Sequence, residues 1–184
     1  RYANAAGIMI IGDMPIYVSY DSADCWAAPE QFQLDENLRP VLVAGVPPDA
    51  FAVEGQLWGN PLYDWDQMRE DGFRWWISRI RQNFRMYDVI RLDHFRGYEA
   101  YYAVPADAQN AVSGQWKQGP GIDLFKSLEA AMTEPGSEDI AGAAVGASNA
   151  RSAVSAEDVR SAVSLEDAGS AVSLEDAESA TDAK

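Results

Sequence analysis

All six Trp, eight Tyr and six Phe of this chain lie before residue 126, and residues 127–184 contain no aromatic residue. Large apolar rings supply much of the area a core buries. Residues 127–184 also carry 12 acidic against 3 basic residues. A stretch this charged and this poor in large side chains buries too little apolar surface to offset the entropy of ordering it. The chain therefore divides near residue 126 into a core-forming part, 1–126, and a low-complexity acidic tail, 127–184.

The tail repeats itself every nine residues: Arg151–Val159, Arg160–Ala168 and Gly169–Ala177 share the pattern x-Ser-Ala-Val-Ser-x-Glu-Asp-x. At about 100° per residue, nine residues turn a helix through about 900°, two and a half turns. Val154 and Val172 then share one face and Val163 takes the opposite one. No continuous apolar stripe results, so neither a coiled coil nor an ordinary amphipathic helix is specified. The expected form is a disordered or weakly helical tail, with a binding tail as the functional alternative.

Residues 1–126 read as alternating strands and helices. Tyr2-Ala3-Asn4 closes a helix that Gly7 stops. Ile8–Ile11 is a short apolar strand ending at Gly12-Asp13. Pro15 to Pro61 reads as a long irregular region, with one possible strand at Val41–Val43. Phe73, Trp76, Ile77, Ile80 and Phe84 recur at helical spacing within a helix from Asp66 to Tyr87, decorated by Arg74, Arg79, Arg81 and Arg85. Trp75-Trp76 serves helix-to-sheet packing. Val89–Leu92 is the next strand, and Gly121–Met132 a further helix. This alternation implies an α/β fold with a parallel sheet covered on both faces, whose ligands gather at the carboxyl ends of the strands.

Net charge is −15, which argues against nucleic acid or an anionic membrane as partner. Cys25 is the single cysteine, so no intrachain disulfide and no Cys-rich zinc site forms, and a reducing, cytoplasmic location fits. No signal peptide or membrane-spanning run is visible. The chain begins at Arg1, which reads as a truncation.

Chemistry concentrates at Arg91-Leu92-Asp93-His94-Phe95-Arg96-Gly97. A carboxylate flanked by two guanidinium groups and the lone histidine, at the end of an apolar strand, is costly to bury without a purpose. Neighbouring cations favour the ionised carboxylate, the state a nucleophile needs. Asp13 also ends a strand and would face the same rim, although alone it reads as a cap for the turn at Pro15. His94 has no partner for a metal and reads equally as a hydrogen-bonded rim residue. The loops around Asp49 and Gln56-Leu57-Trp58 combine an aromatic plate with amides. That pairing suits a sugar, with its C–H face and hydroxyl edge, while Trp58 could equally anchor a loop into the core. Cys25 reads as structural.

Five ordered segments carry a resemblance to a known family: Gly12–Val18, Asp21–Asp24, Val46–Phe51, Gly55–Tyr63 and Arg91–Gly97. Residues 7–121 resemble the central part of the 4-alpha-glucanotransferases, the amylomaltases or disproportionating enzymes of glycoside hydrolase family 77. The resemblance implies a (β/α)8 barrel, here incomplete, and retaining transfer of α-1,4-glucan segments to another glucan. Asp93 would be the nucleophile and Arg91 would orient it and keep it ionised. Asp13 and His94 would contact sugar hydroxyls, Gln56 and Trp58 would line the donor and acceptor subsites, and Asp49 would lie in the neighbouring loop. The implied partners are α-1,4-glucans and maltooligosaccharides, and no metal or organic cofactor is implied.

One departure from the family bears directly on activity. Retention needs a second carboxyl roughly 5–5.5 Å from the first. The family places it as a Glu on a strand expected soon after Phe125-Lys126, with a third carboxylate later still. Here that region leads into Glu134–Ile140 and the repeats, and Glu138 is not assigned as the acid. A complete barrel takes about 250 residues. The expectation is a nearly inactive fragment carrying the nucleophile half of the site. The alternatives are a non-catalytic α-glucan-binding protein and a truncated product without function.

Overall fold

A computed structural model of the protein describes residues 2–133. The acidic tail and its repeats lie outside the described residues, apart from the start of the compositional change at 127–133. The chain runs α1 (Tyr2–Ala5), β1 (Ile11–Met14), α2 (Ala23–Ala27), a 3-10 turn (Pro29–Gln31), β2 (Leu42–Val46), β3 (Gln56–Pro61), α3 (Trp65–Glu70) and α4 (Arg74–Phe84). It continues through β4 (Val89–Leu92), a second 3-10 turn (Phe95–Tyr98), β5 (Ala100–Pro105), β6 (Gln115–Gln118) and α5 (Ile122–Thr133).

β1 and β4 pair in parallel, with Ile11 opposite Val89, Gly12 opposite Ile90, Asp13 opposite Arg91 and Met14 opposite Leu92. Side chains alternate along a strand, and residues opposite one another share a face. Gly12, Met14, Ile90 and Leu92 therefore point to the core, where Met14 is 2% exposed and Ile90 and Leu92 pack against buried neighbours. Ile11, Asp13, Val89, Arg91 and, two residues on, Asp93 take the other face. Asp88 clamps the entry of this pair: its carboxylate accepts from Ile10 N and from Asn4 Nδ2 of α1. Gly12 is tightly held, since a Cβ there would lie 2.2 Å from the Tyr87 ring.

The expected parallel sheet is thus confined to two strands, and the larger sheet is antiparallel. Its order is β3-β2-β5-β6, built partly from the 15–61 region that reads as irregular in sequence. Val46 pairs with Gln56 across the β2–β3 connection, whereas the β2–β5 pairing is non-local, with Leu42 opposite Pro105. Gly45 permits this closeness, because a Cβ there would come 2.6 Å from the Gln56 carbonyl oxygen. β6 is exposed along its whole length, so no buried alternation marks it in the sequence.

The helix expected from Asp66 to Tyr87 is two helices. Gly72 and Phe73 take φ +73° and +58°, which breaks the helix between α3 and α4. Phe73 is nevertheless buried, and Asp71 accepts from Arg74 N at the start of α4. Helical spacing survives the break because Phe73 joins the same apolar face as Trp76 and Ile80. The core beneath is aromatic. Trp76 is fully buried, stacks on Trp65 and meets Tyr63 and Tyr98 edge-on, in keeping with the packing role expected of Trp75-Trp76.

Two arginines that read as surface decoration work inside the fold. Arg79 donates to the carbonyls of Pro15 and Ile16 and to the Tyr63 hydroxyl, and its guanidinium lies over the rings of Trp75 and Trp76. Arg81 donates to Ala131 O and so ties α4 to α5. α5 crosses the compositional boundary, burying Leu124 and Phe125 on one side of it and Leu128 and Ala131 on the other. Cys25 is buried and free of any disulfide. No helix among the described residues is long and apolar enough to cross a membrane.

Candidate active site

The register of β1 against β4 brings three charged side chains onto one rim. Asp13 and Arg91 are direct partners in the parallel ladder, and Asp93 follows Arg91 by two residues. Its backbone N–H continues the ladder by donating to Met14 O at 3.0 Å. Arg91 then bridges the two carboxylates through one nitrogen: Nη2 donates to Asp13 Oδ2 at 2.7 Å and to Asp93 Oδ1 at 3.0 Å. All three side chains are half or more exposed. The hydrogen bond from Arg91 to Asp13, with the charges of both carboxylates behind it, pushes the guanidinium further above its ordinary value. The arginine therefore stays a cation and keeps two like charges apart.

Asp13 is more than the turn cap it resembles when read alone. It is the nearer partner of Arg91, a fact fixed by strand register and invisible in either segment by itself.

His94 comes next, in the left-handed region with φ 49° and ψ 53°. That turn carries the imidazole across to the antiparallel sheet, where it meets the Trp58 ring edge-on with centroids 4.9 Å apart. Trp58 stands on β3 with Gln56 two residues before it, on the same face. Its indole Nε1 donates to Gln56 Oε1 at 3.1 Å, and Tyr17 lies edge-on 6.3 Å behind it. Gln56 and Trp58, expected on an irregular loop, are thus presented by a strand. Gly59, with φ +78°, sits where the β2–β3 ladder is irregular, between the Gly45–Leu57 and Val43–Pro61 pairs.

Sequence reasoning misses Tyr17. It is buried, and burial raises its hydroxyl well above the ordinary tyrosine value, with Tyr101 and Tyr63 adding to the effect. The segment before it is pinned by Arg79 and by Tyr63, whose hydroxyl donates to Ile16 O at 2.7 Å. The signal available in the sequence is the Pro15-Ile16-Tyr17 run directly after Asp13 and Met14.

Six of the seven candidate residues form one continuous group. Asp13, Arg91 and Asp93 are joined by ion pairs, and His94, Trp58 and Gln56 by ring contact and hydrogen bond. Asp49 stands differently. Its carboxylate accepts from Phe51 N and Ala52 N, so among the described residues it shapes its own loop. Phe51 at that loop's tip is 97% exposed. No cluster of three or more His, Cys, Asp or Glu suited to a metal occurs among the described residues.

The profile of the family described as 4-alpha-glucanotransferase, glycoside hydrolase family 77, matches residues 1–160. The chain belongs to the 4-alpha-glucanotransferase family. It is 56% identical over 128 residues to the 4-alpha-glucanotransferase of Aquifex aeolicus, covering 70% of this chain and 26% of that protein. Against the chloroplastic/amyloplastic 4-alpha-glucanotransferase of Solanum tuberosum the identity is 53% over 127 residues, covering 69% and 22%. Among solved structures it resembles the amylomaltase of Streptococcus agalactiae in complex with acarbose. That match has a TM-score of 0.70 and 49% identity, over 72% of this chain and 27% of that one. The chain spans about a quarter of the length of the curated relatives it matches.

Proposed function

We propose that the chain carries the nucleophile part of a 4-alpha-glucanotransferase, an enzyme that moves α-1,4-glucan segments to another glucan with retention at the anomeric carbon. The observation that carries this reading is the Arg91 bridge between Asp13 and Asp93 at the end of a parallel strand pair, beside the Trp58–His94 contact. In this reading β1 and β4 are neighbouring strands of a (β/α)8 barrel, the catalytic domain runs past the boundary expected at 126 to the end of α5, the acidic tail follows it, and the protein is cytoplasmic.

Asp93, hydrogen-bonded by Arg91, attacks the anomeric carbon. A bond forms from its carboxylate oxygen while the glycosidic C–O bond breaks. The departing oxygen takes a proton from a second carboxyl group, which the described residues do not supply; that group then takes the proton of the incoming glucan's hydroxyl as its oxygen attacks the anomeric carbon and the bond to Asp93 breaks. Asp13 accepts from a sugar hydroxyl, and His94 contacts another. Trp58, held by Gln56 and by Tyr17, offers its ring to the C–H face of a glucosyl unit, and Asp49 shapes the adjoining loop. The acarbose complex of the S. agalactiae amylomaltase supports an α-glucan as ligand.

The second reading, an α-glucan-binding protein without turnover, is favoured by one observation. Where the family pattern leads to a strand bearing the acid Glu, the sequence runs into Glu134–Ile140 and the repeats, with no apolar run ahead of Glu138 to form that strand. The two readings share the site and differ in the acid. Maltoheptaose titrated into the purified chain should bind saturably, and Trp58→Ala should weaken binding at least about tenfold, equivalent to about 1.4 kcal/mol. Glucose release from maltotriose should be near background, and Asp93→Asn should leave it there. Failure of Trp58→Ala to alter binding would remove the glucan reading. Turnover abolished by Asp93→Asn would show that the acid is present after all.

A further inference from the structure

A second cleft opens a short way along the chain from the Asp93 rim. It has a volume of about 290 Å3, and its walls include Tyr20, Asp21, Trp26, Pro29, Leu34 and Leu38. None of these belongs to the site described above. The volume lies at the small end of small-molecule sites, which run from roughly 300 to 1,000 Å3.

Its walls are fixed by backbone as much as by side chains. The Tyr20 hydroxyl donates to Leu38 O at 2.8 Å, bridging from one wall to the other. Leu38 itself is held with φ +59°, in a loop where Asp35 accepts from the backbone N–H groups of Asn37 and Arg39. On the other side Ser22 caps α2 by accepting from Cys25 N, and the buried Cys25 anchors that helix beneath Trp26. A cleft so braced exists before any ligand arrives, which lowers the cost of binding.

The chemistry of the lining narrows the ligand. Trp26 is 86% exposed and Tyr20 45%. Isolated exposed apolar side chains are ordinary; two aromatic rings and aliphatic groups sharing one concave surface are not. Asp21 adds a carboxylate: Oδ1 accepts from Ser19 Oγ, and Oδ2 makes no hydrogen bond among the described residues. Rings for a C–H face, with an acceptor for hydroxyls at the edge, repeat the combination found at Trp58. An anionic ligand is disfavoured by Asp21 and by the chain's net charge of −15. A neutral polyhydroxyl ligand meets no such penalty.

Position narrows it further. Tyr17 backs Trp58, and Tyr20 comes three residues later, a chain span of at most about 11 Å. We propose that this cleft is a second α-glucan site, holding a glucosyl segment next to the Asp93 rim. The proposal deepens the reading of that rim as an α-glucan site and rests on it.

The test titrates the full chain with maltoheptaose and monitors the indole N–H resonances by NMR, with Trp26→Ala and Trp58→Ala supplying the assignments. The expected result is two saturable responses. Trp26→Ala leaves the Trp58 response in place, and Trp58→Ala leaves the Trp26 response in place. Tyr20→Ala, which alters the cleft and keeps both indoles, should weaken the Trp26 response at least tenfold and leave the Trp58 response unchanged. Unchanged chemical shifts at the Trp26 indole while the Trp58 indole saturates would overturn the second site and leave the rim reading standing. A response at Trp26 without one at Trp58 would keep the cleft and remove the rim reading. No response at either ring overturns both.

Discussion

His94 holds φ 49°, a conformation that costs an L-residue other than glycine roughly 1–2 kcal/mol. Strain of this kind persists where the surroundings over-determine it, and such places gather at functional sites. Here the left-handed turn is what swings the ring from the end of β4 to Trp58. Gly97 leaves the room for it, because a Cβ there would lie 3.0 Å from His94 Cδ2 and 2.7 Å from Ile16 Cδ1. A comparison of two substitutions separates backbone strain from ring contact. At an ordinary position Ala is more stable than Gly by about 0.4–1 kcal/mol. At residue 94 the order should reverse, with His94→Gly more stable than His94→Ala by about 1 kcal/mol. Both variants lose the Trp58 contact, so both should bind maltoheptaose equally poorly. Urea unfolding midpoints at unchanged slope report the first effect and titration the second. A more stable His94→Ala would mean that the left-handed turn carries no strain.

Among the elements, α4 joins the rest of the body through one residue more than any other. Trp76 contacts Trp65 of α3, Tyr63 after β3 and Tyr98 in the turn after His94. Its replacement by Ala should cost about 3–5 kcal/mol, a large share of the roughly 5–15 kcal/mol that small domains possess. A urea midpoint shifted by much less would show that the aromatic cluster repacks around the gap. The sequence made this helix legible because Phe73, Trp76, Ile77 and Ile80 recur at helical spacing, and it made β4 legible because an apolar run meets a charged end. It did not reveal the break at Gly72-Phe73, since a buried Phe73 preserves the apolar period across it. The antiparallel sheet escaped for a different reason. Its central pairing joins Leu42 to Pro105, and no local pattern encodes partners so far apart. The site shows the same division: Asp93, Arg91, His94 and Trp58 stand out as residues, whereas the Asp13–Arg91 bond depends on a register only the folded pair defines. Arg79 reads as solvated because a charge on a helix usually is, yet its target carbonyls at Pro15 and Ile16 lie on the distant segment that leads to Tyr17.

At the scale of the whole molecule, the parallel pair is the weakly protected part. Ile8, Met9 and Ile11 are 58%, 66% and 67% exposed, and a two-stranded unit has little stability of its own. Stability must therefore come mostly from the aromatic core, and that core contains hydroxyl groups that titrate. Burial pushes the hydroxyls of Tyr17, Tyr63 and Tyr98 well above the ordinary tyrosine value, with the Arg79 charge opposing the shift at Tyr63 and Tyr98. In the unfolded chain the same groups lose their protons near pH 10. Below that pH both states hold the protons and stability is unaffected. Above it the unfolded state releases protons the folded state retains, so stability falls as pH rises, by about 1.4 kcal/mol per pH unit for each tyrosine. Three together remove about 4 kcal/mol per unit, enough to unfold a domain of ordinary stability within one to a few pH units. Alkaline titration should therefore show tyrosinate absorbance rising in the same cooperative step in which near-ultraviolet circular dichroism is lost. Tyr63→Phe keeps the ring and removes one titrating group. It should make the transition less steep, despite losing the bonds to Ile16 and Arg79. Smooth ionisation of all tyrosines near pH 10, with the circular dichroism intact, would mean that these hydroxyls reach water in the folded state and that the core is looser than its packing implies.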